Sequence, residues 1–173
     1  MKSLKIIKLV FFIISSALVL VFAGFLVDHL KHFISALLLA YGIVGVIDFI
    51  IKKDKDCFQK TDFYFALLEI LLGVVSFLFI TSFETICVVW AMWSIFRESI
   101  EMQKIASEKI NTFLAGISVV ESVAVIALSV ILIIYPGTEH AITHTYLLCV
   151  ELILAGSIPV LNQYVFKNKA EIA

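Results

Sequence analysis

The stretch VVWAMWSIFRESIEM, residues 88–102, brings an oily run to a close on Arg97, the only arginine in the chain. A guanidinium stays protonated at any physiological pH and offers five hydrogen-bond donors in a fixed fork. Four carboxyl residues also interrupt long apolar runs: Asp48, Glu69, Glu121 and Glu151. An Asp or Arg in the middle of a membrane helix costs roughly 2.5–3.5 kcal/mol, so this set requires partners. The chemistry open to it is charge pairing and proton exchange. Arg97 can bridge two carboxylates from different segments. Four acids against one cation leave a negative excess, which a low-dielectric interior relieves by taking up protons. Simpler roles stand beside this one. Arg97 can snorkel to the headgroups with Glu98 and Glu101 in water, since Arg97 and Glu101 have i,i+4 spacing. Glu69, Glu121 and Glu151 can act as interhelical hydrogen-bond glue, and Asp48, followed by FIIKK, can be interfacial.

The four histidines fall in two pairs, His29 with His32 and His140 with His144. Unperturbed imidazole titrates near pH 6.5, inside the range of mild acid stress. Asp28, Glu84 and Glu139 lie near them in the pattern of segments. Acidification would turn such a surface from mixed charge to positive, which suits a pH-responsive face; polar turn residues at a membrane interface are the plainer reading. The three cysteines, Cys57, Cys87 and Cys149, have no metal or redox spacing. No metal site, cofactor or catalytic residue is expected: neither a nucleophile elbow, a phosphate loop nor a zinc motif occurs.

The elements that must position these groups are set by composition. The chain has 173 residues, of which 62% are hydrophobic, with a mean hydropathy of +1.09. Soluble domains are nearer half apolar, so the class is integral membrane protein, with the lipid bilayer as its first partner. A net charge of −1 gives no reason to expect nucleic acid. A bilayer core needs about 20 apolar residues per helix. Six segments qualify, approximately 7–27, 33–51, 62–81, 84–103, 111–134 and 141–165. The first resembles a signal peptide in its basic start, but its apolar run is long and no A-x-A-like site follows, so a retained first helix is expected. DHLKH, TSFE and YPGTEH form short turns, whereas KKDKDCFQKTD and RESIEMQKIASEKIN are longer and charged. The expected fold is therefore an all-α polytopic bundle of six transmembrane helices, a single domain of three hairpins over 7–51, 62–103 and 111–165. Of the 13 basic residues, all but Lys31 fall on one side of this arrangement, which places both termini in the cytoplasm.

The second helices of the three hairpins carry an aromatic or histidine seven residues before a charge: Tyr41/Asp48, Trp90/Arg97 and His144/Glu151. Such pairing suggests internal repeats. Small residues in YGIVG, at Ala91 and Ser94, and in LAGS fall on the same helices and read as close-packing positions. The length, the six segments, the hairpin repeats and the tryptophan-rich fourth segment ending in an arginine and an acid resemble the HdeD-type acid-resistance membrane proteins. Trp90, Arg97 and Glu101 match that motif, and Pro136 in ILIIYPG matches the proline-containing turn that ends the family's odd helices. The other two hairpins lack the proline, and Glu98 replaces the family's glycine. The resemblance implies a bacterial inner-membrane protein of stress or acid tolerance, and no established chemistry. The expected function is thus non-enzymatic, with the Arg/acid cluster and the histidines as pH-responsive elements. The alternative is a small proton-coupled transporter or channel. Six short helices enclose only a narrow path, so that alternative brings self-association with it.

Overall fold

The computed structural model describes residues 2–52, 61–107 and 111–162. Among them the secondary structure is entirely helical: α1 (Lys2–Val21), α2 (Ala23–Asp28), α3 (Leu30–Lys52), α4 (Thr61–Phe79), α5 (Phe83–Ser107), α6 (Thr112–Ile134) and α7 (Thr138–Leu161). Within the described residues each of the six expected segments is largely helical, but the first is in two pieces. The interruption at Phe22 is slight, because Phe22 N–H donates to Leu18 O and Leu26 N–H to Phe22 O. Among the described residues three helices contain stretches long and apolar enough to cross a membrane: Leu30–Ile47, Thr112–Ile134 and Thr138–Ile158. Shorter apolar stretches occupy Phe12–Val21 and Phe63–Phe79.

The chain divides into two compact units, one of Met1–Val27 with Cys87–Ala173 and one of Asp28–Ile86. These boundaries fall inside the first two expected hairpins. In the smaller unit α3 packs along α4, although the short-turn rule assigns them to different hairpins. The contacts run antiparallel, from Phe49 against Phe63 at one end to His32 against Phe77 at the other. Small residues are the physical reason. A Cβ built on Gly42 would lie 2.6 Å from Ala66 O and 2.8 Å from Ile70 N, and one on Gly73 would lie 3.0 Å from Leu39 N. Backbone this close leaves no room for a side chain, and it is the way helices associate where apolar burial gives no drive between them. Replacing Gly42 with alanine should therefore destabilise by about 1–3 kcal/mol, since the helices must separate. Gly116→Ala, where a Cβ meets nothing within 4 Å, should stabilise by about 0.5–1 kcal/mol through helix propensity. Thermal unfolding of the two variants in micelles tests the opposite signs.

In the larger unit α7 packs against both α1 and α6. Ser16 donates to Cys149 O at 3.0 Å, and Gly156 accepts the close approach of Phe12 and Leu9, so α1 and α7 are antiparallel. The turn between α6 and α7 forms where expected. Pro136 follows the α6 C-cap Tyr135, whose N–H donates to Ile131 O at 2.8 Å. At the opposite ends, Asn111 caps α6 by accepting from Phe113 N–H, and its own N–H donates to Asn162 Oδ1.

Helix α6 is inverted relative to a soluble helix. Its buried stripe is Leu114, Ser118, Ser122, Val125, Ser129 and Leu132, whereas Phe113, Val120, Val123 and Ile134 are exposed. Hydroxyls inside and large apolar groups outside fit a helix whose solvent is lipid.

Candidate functional site

Three carboxyl groups and one guanidinium meet in the larger unit. Arg97 on α5 places Nε 3.2 Å from Glu151 Oε1 on α7, with both side chains less than one fifth exposed. The guanidinium carbon lies 5.2 Å from the ring centre of Trp93, one turn back on α5, close enough for cation–π attraction. Consecutive residues on a helix point about 100° apart, so α5 turns Arg97 toward α7 and Glu98 toward α6. Glu98 is buried and accepts a 2.6 Å hydrogen bond from Ser122 Oγ of α6. Glu121, the residue before Ser122, is half-buried, and its Oε1 has no hydrogen-bond partner among the described residues. One oxygen each from Glu98, Glu121 and Glu151 lies within 4.8 Å of the others.

Carboxylate oxygens of this kind suit a hard cation or shared protons. The neighbouring guanidinium already supplies positive charge to Glu151 and repels a second cation, so proton sharing is the chemistry this geometry favours.

Seven residues from the cluster along each helix lies a second polar layer. His144 on α7 is buried; its ring centre is 4.5 Å from that of Trp90 on α5, and its Nε2 is 2.9 Å from Ser129 Oγ on α6. The pairs Trp90/His144 and Arg97/Glu151 show that α5 and α7 run parallel and in register. The contacts Ser129–His144 and Ser122–Glu98 show that α6 runs opposite to both.

The structure thus brings together Arg97, Glu121 and Glu151 of the expected cluster. It adds Glu98, which the snorkelling alternative places in water but which is 2% exposed. Glu101 is half-buried one turn further along α5. Glu69 is buried on α4, in the smaller unit, and Asp48 lies on α3 with its side chain outside the described residues. Of the histidines, His29 and His32 are exposed and His140 is half-buried with its ring centre 6.4 Å from that of Tyr135. His144 departs from the expected surface set, because the α5–α6 side of α7 encloses it. Ser122 and Ser129, which hydrogen-bond Glu98 and His144, are residues of the candidate site that the reading by residue type passed over; their signal is the stripe they share with Ser118, Val125 and Leu132.

Comparison of the chain with protein-family models, with curated proteins and with solved structures finds no match.

Proposed function

We propose that this chain is a non-enzymatic integral membrane protein whose Arg97–Glu98–Glu121–Glu151 cluster takes up and releases protons as the pH of its surroundings changes. The observation that carries this reading is the mutual approach of three carboxyl oxygens within 4.8 Å beside a single guanidinium. Like charges this close in a shielded interior cannot all remain ionised, so the group gains or loses protons as a unit. The setting we propose is a six-span bundle in a bacterial inner membrane, with both termini cytoplasmic. The one-sided distribution of basic residues supports it. So does the alternation of direction between packed helices within each unit. A part in acid tolerance follows from the likeness of the tryptophan–arginine–acid motif to HdeD-type proteins.

The test is infrared difference spectroscopy of the protein in lipid vesicles stepped from neutral to acid pH. The expected result is a protonated-carboxyl band that grows on acidification and shrinks in Glu121→Gln. A wild-type protein whose buried carboxyls show no such change would overturn the reading. In cells, acid survival should fall when the protein is removed, and replacing Glu98, Glu121 and Glu151 with glutamine should reproduce most of that loss. Survival counts after an acid challenge measure it.

The alternative, a small proton-coupled transporter or channel, draws support from one further observation: the cluster and His144 lie in successive layers of the same three helices.

A further inference from the structure

We propose that His144 and Ser129 form a second proton station in series with the carboxyl cluster, so that α5, α6 and α7 enclose a proton path; this rests on the cluster exchanging protons as proposed above. The two layers repeat on all three helices at a spacing of seven residues: Trp90 and Arg97 on α5, Ser129 and Ser122 on α6, His144 and Glu151 on α7. Seven residues of helix rise about 10.5 Å, which sets the distance between stations. His144 also stands six residues from the start of α7 at Thr138, or about 9 Å from the end of the helix.

The chemistry of the station follows from its two nitrogens. Nε2 faces Ser129 Oγ at 2.9 Å, while the buried Nδ1 has no hydrogen-bond partner among the described residues. An imidazole engaged at one nitrogen and open at the other can accept a proton on the open side and release one on the engaged side. In the step proposed, an N–H bond forms at Nδ1 and the N–H bond at Nε2 breaks. The Ser129 hydroxyl takes that proton as it passes its own on, and the neutral ring, left as the Nδ1–H tautomer, regains the starting arrangement by a ring flip before the next proton enters. A carboxylate of the cluster then becomes a carboxylic acid, and it releases its proton at the far side.

The titratable and charged groups on the helices around His144 are Glu84, Cys87, Arg97, Glu98, Glu101 and Lys104 on α5, Glu121 on α6, and Glu139, His140, Tyr146, Cys149 and Glu151 on α7, while α1, which also packs on α7, carries Lys2, Lys5 and Lys8. Among the described residues no carboxyl is hydrogen-bonded to His144, so no acid there locks the imidazole as a fixed cation. Between the layers Ser94 of α5 is buried, four residues after Trp90 and three before Arg97, at the level of the apolar Val125 and Leu148. Transfer across this level requires transient water beside Ser94, and Val125 and Leu148 keep it slow.

The experiment is proton flux into vesicles carrying the protein, driven by an imposed potassium-valinomycin potential and read with an enclosed pH dye. Wild type should conduct above protein-free vesicles. His144→Gln should lower the flux by about a hundredfold, the low end of what a positioned proton-transfer group contributes. Ser129→Ala, which leaves the ring in place, should lower it in the same direction and guards against misfolding of the first variant. Val125→Ser, which adds a hydroxyl between the layers, should raise the flux, and combining it with His144→Gln should abolish the gain. A wild type that conducts no better than protein-free vesicles, or a folded His144→Gln that conducts as wild type, overturns the path. The carboxyl band measured in the same vesicles reports on the cluster separately, so the path can fail while proton exchange by the cluster stands.

Discussion

Replacing Arg97 with leucine is expected to destabilise the protein by about 3 kcal/mol, the low end of the cost of removing one member of a buried ion pair, since this pair is only mostly buried. The magnitude follows from what surrounds the guanidinium. Glu151 is 3.2 Å away, its side chain 14% exposed, and Glu98 and Glu121 have oxygens within 4.8 Å of one of its own. Without the cation Glu151 is left beside two further carboxyls, Glu98 and Glu121. Two consequences separate this cause from loss of packing against Trp93. Acidification should restore much of the stability of Arg97→Leu, because protons on the orphaned carboxyls remove the repulsion. Adding Glu151→Leu should also recover about 1–3 kcal/mol, since residues in one charged network couple by that amount. Thermal unfolding of the single and double variants in micelles at neutral and acid pH measures both effects. An Arg97→Leu protein that melts like wild type at neutral pH would mean that the guanidinium is solvated at headgroup level.

The sequence made the helices legible because their boundaries are chemically abrupt. Charged breaks such as KKDKDCFQKTD and the proline turn YPG end apolar runs of the length a bilayer requires. Partner choice was less legible. A short turn predicts that neighbours in sequence pack together, yet in the smaller unit α3 lies along α4 because Gly42, Gly45 and Gly73 open a path for backbone to approach backbone. YGIVG marked that face without saying which helix would meet it.

The spacing of seven between Trp90 and Arg97, and between His144 and Glu151, was visible as a repeat. Its physical meaning emerged only when α5 and α7 lay parallel, so that like met unlike across the interface: tryptophan on histidine and arginine on glutamate. Glu98 was read only as a water-facing neighbour of a snorkelling Arg97, whereas the 25 residues of α5 extend to Ser107 and carry the acid inside. Histidines grouped by side of the membrane concealed a difference of face. His140 and His144 are one turn apart, but only His144 is buried.

The second large effect is expected at Trp90. Among the described residues it is the largest of the fully buried side chains, with 0% exposure, and its ring centre lies 4.5 Å from that of His144. Trp90→Ala should cost about 3–5 kcal/mol, from lost contacts and the cavity left behind. Trp90→Phe should recover most of that loss, because an aromatic face against the imidazole remains. Unlike the loss at Arg97, this one leaves no carboxylate without its cation, so adding Glu151→Leu should not recover it. The contrast is itself a test of the two layers. One is held by opposite charges that compensate each other's lost hydration, the other by shape around a single buried ring. If Trp90→Ala costs no more than a surface substitution, about 0.5 kcal/mol, the upper layer is not packed and His144 is open to its surroundings. If the cost is large and Glu151→Leu leaves it unchanged, Trp90 closes the α5 side of the imidazole by packing alone.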